Sequence, residues 1–217
     1  MSKSSKKATG TQPPTIMISS TVYGFEELLD RIYALLTEFG YNVWCSHIGT
    51  LPVYSSLNAF ESCLKAVEDC DLFFALITPK YGSGVVKGEI SITHQEIIKA
   101  IELNKPRWLL AHDHVIFART ILAGLGHKNP KERSELNFKG SQVLDDLRVI
   151  DMYEAAIRNE IEFVDRKGNW VQKFVSDSDA LRYATAQFYR FQEVERFLKE
   201  QLGDSRRVME IVSGGVT

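Results

Sequence analysis

Glu96 is the residue of this sequence whose type and neighbours best fit it for chemistry. It follows His94 in the first turn of a helix, after a buried strand (Leu72 to Thr78) and a glycine-containing loop, within LFFALITPKYGSGVVKGEISITHQEIIKAIEL. In an open α/β sheet, ligands bind in the crevice outside the carboxyl ends of the strands, where such a loop and helix start sit. A second role is open to the same residue. Thr93-His94-Gln95-Glu96 fits the S/T-x-x-E capping box, in which the glutamate bonds back to the amide of the first residue. Ser19-Ser20-Thr21, ending an earlier strand, is equally double: its hydroxyls and amides could hold a phosphate or could cap the helix that follows. His112-Asp113-His114 brings together two imidazoles and a carboxylate of the kind that ligate zinc or iron. No second cluster at ligand-like spacing accompanies the triplet. It is expected to finish a strand or cap a helix, and no metal or cofactor is assigned.

The elements that must position these residues are legible as an alternation. Thr15 to Ser19 is a short apolar run after Pro-Pro, expected of a strand buried on both faces. Phe25, Leu28, Leu29, Ile32, Leu35, Leu36 and Phe39 recur at helical spacing, and Gly40 is placed to close that helix. Tyr41 to Ser46 reads as strand two, and Ser56 to Asp69 as helix two. Arg107 to Ala111 reads as strand four, and Val115 to Leu125 as a helix stopped by Gly126. His127 to Gly140 is polar and Lys-rich, as an exposed loop would be, and Val143 to Glu160 has a helical look. Trp170 to Val175 would be a last strand, with Asp177 capping a long helix through Leu202. Strands alternating with helices imply a doubly wound parallel sheet covered on both faces, here a flavodoxin-like α/β fold with a C-terminal helical extension. The expected division is a disordered tail 1–14, a core 15–126, an insertion 127–168, a last strand and helix 169–202, and a tail 203–217.

Composition narrows the partners. The chain has 217 residues, is 44% hydrophobic and carries a formal charge of -2, so it can bury a sizeable core and offers no basic footprint for nucleic acid. No window approaches the length of a membrane span, and Met1 to Pro14 lacks the apolar stretch of a signal peptide. Cys45, Cys63 and Cys70 form neither a disulfide framework nor a zinc motif, which points to reduced thiols in a cytoplasmic protein. Several α/β functions fail on residue type. No acceptor aspartate ends strand three, and the chain has neither GxGxxG after strand one nor a P-loop or GxSxG elbow.

The SST ending of strand one, GYNVW, CLKAVEDCD, LFFALITPKYGSG and ITHQEIIKAIELNKPRW together resemble a TIR-like domain. More narrowly they resemble the bacterial TIR-like domains of unknown function found in front of NTPase-and-repeat proteins. The likeness covers about Thr15 to Ala111, and more distantly extends to nucleoside deoxyribosyltransferases. Both families place a glutamate early in the helix after this loop and cleave an N-glycosidic bond, which implies Glu96 as the catalytic carboxylate. The resemblance implies NAD as substrate rather than cofactor, with nicotinamide–ribose cleavage by a hydrolase or cyclase serving bacterial antiphage immunity. Ser19, Ser20, Thr21 and Tyr23 would then line the nucleotide, Tyr81 and Ser83 would wall the ribose, and His47 and His94 would lie nearby. The stretch Gly88 to Ile92 departs from the family pattern, so Glu89 is a rival acid, with Glu96 then a cap. Two other functions stay open: a non-catalytic module that assembles with itself or with a separately encoded effector, and a nucleoside or nucleotide N-glycosidase. With no NTPase or repeat module in view, a diffusible product or a separate partner is expected to carry the signal.

Overall fold

The computed structural model describes residues 13–82, 89–166 and 170–190. Five parallel strands, β1 (Thr15–Ser20), β2 (Asn42–Cys45), β3 (Leu72–Ile77), β4 (Arg107–His112) and β5 (Val171–Phe174), form one sheet in the order β2-β1-β3-β4-β5. This is the flavodoxin-like order, and its topological switch point lies between β1 and β3. β3, LFFALI, is buried at every position, as a central strand covered on both faces must be.

Period-two alternation sends the strand side chains to two separate cores. Ile16, Ile18, Phe74, Leu76 and Leu110 face helix α1 (Glu26–Glu38) and helix α7 (Asp177–Ala184), the latter continued by a π-helical turn, Thr185–Tyr189. Met17, Phe73, Ala75, Ile77, Leu109 and Ala111 face α2 (Ala59–Asp69), α3 (Ile92–Glu102) and α6 (Arg148–Ala156). Each of the larger of these side chains contributes about 2 kcal/mol when fully buried. α1 ends as its sequence predicts. Gly40 takes φ +83°, and the amides of Tyr41 and Gly40 reach back to the carbonyls of Leu36 and Thr37.

α4 (Asp113–Gly124) follows β4 directly. The polar segment expected to be a loop contains a short helix, α5 (Pro130–Ser134), with an Asn129–Glu132 capping box and proline at its first position. That signal stood in the sequence as N-P-K-E. Helix α6 begins at Arg148, not Val143, and Val143 lies exposed in the preceding turn. Arg133 of α5 is 3% exposed and reaches Asp151 at 2.6 Å and Glu154 at 2.5 Å, while Arg119 of α4 meets Glu154 at 2.8 Å. This ionic set locks α5, α6 and α4 together. Three helix starts also shift: α2 begins after an Asn58–Glu61 capping box, α4 begins at Asp113 rather than Val115, and Ser176 rather than Asp177 caps α7. The expected course of the last helix beyond residue 190, and both tails, lie outside the described residues apart from Pro13 and Pro14. Among the described residues no helix is long and apolar enough to cross a membrane.

Candidate functional site

The capping box left open for Thr93 and Glu96 does not form, because the helix starts two residues earlier. Ser91, fully buried, is the N-cap of α3, and its Oγ accepts the amide of His94 at 3.3 Å. Thr93 is thus the second residue inside the helix and Glu96 the fifth, two residues too late to bond back to the cap. The helix turns Glu96 inward to the sheet, where it is 5% exposed. The Ser19 hydroxyl, at the end of β1 beside β3, donates to Glu96 Oε2 at 2.5 Å, and the Cys63 thiol of α2 donates to the same carboxyl. Burial lifts the Glu96 carboxyl to about 7 against the pull of these two donors, because the charged form loses its water. The Cys63 thiol, desolvated and beside that carboxyl, is pushed up to about 12. A carboxyl lifted by desolvation, held by a hydroxyl at the switch point of an open sheet, fits proton transfer or stabilisation of a cationic centre.

Beside it, the Tyr81 hydroxyl and His94 Nδ1 form a hydrogen bond of 3.0 Å. Burial, with Arg148 nearby, depresses His94 to about 4, so the imidazole is neutral at physiological pH. Thr21 follows β1 and is 6% exposed, and its hydroxyl is buried without a hydrogen-bond partner. That hydroxyl faces Gly82, where φ is +79° and an added Cβ would lie 3.0 Å from it. The left-handed backbone and the nearness of the Thr21 side chain together favour glycine there.

The remaining candidates divide. The Ser20 hydroxyl donates to the Thr21 carbonyl at 3.1 Å. Tyr23 is 74% exposed, and His47 turns to α1, with Nε2 3.3 Å from Asp30. Ser83 lies outside the described residues. Glu89 is exposed and contributes its backbone carbonyl, which accepts from Arg148 at 3.0 Å. His112 does cap α4, its Nδ1 accepting the amide of His114 at 3.2 Å. The potential ligand atoms of His112, Asp113 and His114 lie within 4.8 Å of one another. Sequence reasoning missed Cys63, considered only for a disulfide or zinc motif, and Arg148, which no motif marks.

A family model described as "Domain of unknown function (DUF4062)" matches residues 15–203. The chain belongs to this family. The match takes in every strand and helix among the described residues of this DUF4062 domain, including α5 and α6. No curated protein matches the domain. Among solved structures it is similar to the CMP N-glycosidase BcmB of Clostridium botulinum, at 12% identity and a TM-score of 0.41, over 79% of this chain and 98% of that one. It is also similar to the TIR domains of the activated Roq1 resistosome that directly recognises the pathogen effector XopQ. That likeness has 10% identity and a TM-score of 0.38, over 82% of this chain and 84% of the other. At these values neither likeness bears on activity. The flavodoxin-like, TIR-like class of the domain follows from its own sheet order and flanking helices.

Proposed function

We propose that this DUF4062 domain cleaves the nicotinamide–ribose bond of NAD, as a hydrolase or a cyclase, with Glu96 as the catalytic carboxylate. The observation that carries the reading is the buried Glu96 carboxyl, released from helix capping and held by Ser19 at the switch point. As the C1′–N bond breaks, its electron pair goes to the nicotinamide nitrogen and positive charge grows at C1′, where a carboxylate lowers the barrier electrostatically. Water then attacks C1′ and gives up a proton, leaving ADP-ribose and nicotinamide. In a cyclase the adenine ring nitrogen replaces the water. Neutral nicotinamide leaves without protonation, so neutral His94 is free to orient substrate. The unpartnered Thr21 hydroxyl would meet a ribose hydroxyl or a phosphate oxygen.

One observation favours a second reading. A carboxyl at about 7 is half protonated at neutral pH, and a protonated Glu96 could donate to the base leaving a nucleoside or nucleotide. The pH profile separates the two. If the carboxylate is the working form, kcat/KM rises with pH through about 7 and levels off above it. If the acid is the working form, kcat/KM falls over the same interval. The experiment is product analysis by chromatography and mass spectrometry after incubation with NAD, and separately with pyrimidine and purine nucleotides. Glu96→Gln is run alongside. Nicotinamide release that is lost in Glu96→Gln supports the first reading, and base release from a nucleotide supports the second. Turnover of either kind that survives in Glu96→Gln overturns the assignment. No turnover at high protein concentration moves the domain to the non-catalytic assembly module.

A further inference from the structure

Arg148 opens α6, far along the chain from Glu96, yet it makes contact on both sides of the residues between Gly82 and Glu89. Its guanidinium lies 4.5 Å from the centre of the Tyr81 ring, and Nη1 donates to the Glu89 carbonyl at 3.0 Å. Asp146 holds the other edge of the fork, with Nη2 2.6 Å from Oδ2 and Nε 3.1 and 3.0 Å from the two carboxylate oxygens. The preceding residues complete the grip. The Tyr81 amide donates to Asp145 Oδ1 at 2.9 Å, the Asp145 amide donates to the Pro79 carbonyl at 3.2 Å, and Lys80 Nζ donates to the Gln142 carbonyl at 3.3 Å. Gly140, at φ +77°, sets the start of this segment, since an added Cβ would stand 2.5 Å from the Asp145 carbonyl oxygen. Tyr81 is therefore fixed three ways: its amide by Asp145, its ring by Arg148 and its hydroxyl by His94.

We infer that Arg148 is a positioning residue of the candidate site, through which the segment 140–148 sets Tyr81 against His94 and fixes the start of α3 ahead of Glu96. The inference deepens the catalytic reading and rests on it for its kinetic consequence, but not for its structural one. Arginine suits the task because its planar fork can stack on a ring, pair with a carboxylate and reach a carbonyl at once. Lysine keeps the charge and loses the fork. Asp146 and the Glu89 carbonyl take up the donors of the guanidinium, so the contacts favour orientation over the capture of an anionic substrate. This also gives the inserted segment a purpose: its fold brings a cation from residue 148 to a tyrosine at residue 81.

The test uses the whole chain with the side chain of His94 followed by NMR as a function of pH, in wild type, Arg148→Gln and Arg148→Lys. Burial is the first cause of the low His94 value and the Arg148 charge the second. In Arg148→Gln the imidazole loses the charge and its clamp loosens, so His94 is expected to titrate about one pH unit higher. Arg148→Lys, which retains the charge, is expected to restore most of that displacement while the Tyr81 ring resonances stay shifted from wild type. Loss of a merely structural contact would raise His94 equally in Arg148→Lys and Arg148→Gln, with no recovery by lysine. If nicotinamide or base release is measurable, Arg148→Gln lowers kcat about tenfold with little change in KM, and lysine recovers part of it. An identical His94 titration in wild type and Arg148→Gln overturns the inference. Should turnover be absent from wild type, the catalytic reading fails while the NMR result still decides the role of Arg148.

Discussion

Replacing Glu96 by glutamine should stabilise the domain, and only above a defined pH. The carboxyl has an ordinary value of 4.5 and stands at about 7 in the folded chain, so the native state holds a proton that the unfolded state has released between those values. Stability from this group is complete below pH 4.5 and is lost as pH rises through 7. The full interval is worth about 3 kcal/mol, at about 1.4 kcal/mol for each pH unit. His94 acts in the opposite sense. Its value falls from 6.5 to about 4, so the unfolded state binds the extra proton and stability rises with pH between those limits. The two legs overlap between about pH 4.5 and 6.5, and there the wild-type chain should show little net dependence from this pair. Glu96→Gln removes the falling leg and exposes the rising one. Denaturant unfolding of wild type and variant from pH 4.5 to 8.5 is expected to give a difference near zero at the acid end. By pH 8 the difference should grow to about 3 kcal/mol in favour of glutamine. Thermal midpoints should separate by several degrees in the same direction. A difference that is constant with pH, or glutamine being the less stable form at pH 8, would refute the placement of a desolvated carboxyl at residue 96.

Other consequences follow from the same contacts. Thr21→Val removes a buried hydroxyl with no partner and should leave stability unchanged or raise it by up to about 1 kcal/mol, while ligand affinity measured by calorimetry falls. Gly140→Ala places a Cβ 2.5 Å from the Asp145 carbonyl oxygen at a left-handed backbone position, and a loss of about 2 kcal/mol or more in chemical denaturation is expected. Cys63, at about 12, should react with a thiol reagent at pH 8 orders of magnitude more slowly than an unperturbed cysteine, and should quicken in Glu96→Gln.

The sheet was legible because its strands are short apolar runs between strong breakers, and because the α1 stripe and Gly40 meet the capping rules without competition. The start of α3 was misread for a physical reason. Ser91 and Thr93 both offer a hydroxyl three residues before a plausible partner, and local spacing does not reveal that Ser91 is the one with extended backbone, at φ −63° and ψ 158°. Glu96 was singled out in the sequence, but its partners were not. Ser19 lies 77 positions away, and Cys63 sits on a stripe that looks like ordinary core. Arg148 was invisible for the same reason: its meaning comes from Tyr81, which only the folded chain brings beneath it.

The ionic lock around Arg133 has an evolutionary side. Hydrocarbon cores tolerate piecemeal drift through volume-conserving swaps, each costing less than about 1.5 kcal/mol, whereas deleting one partner of a buried ion pair strands its mate and costs about 3–5 kcal/mol. Arg133, Asp151 and Glu154, with Arg119 beside them, therefore cannot change one at a time without passing through a crippled intermediate. The segment carrying Arg148 is inherited with that lock. Descendants of this chain should keep or lose the clamp on Tyr81 as a unit, through concerted replacement rather than gradual erosion.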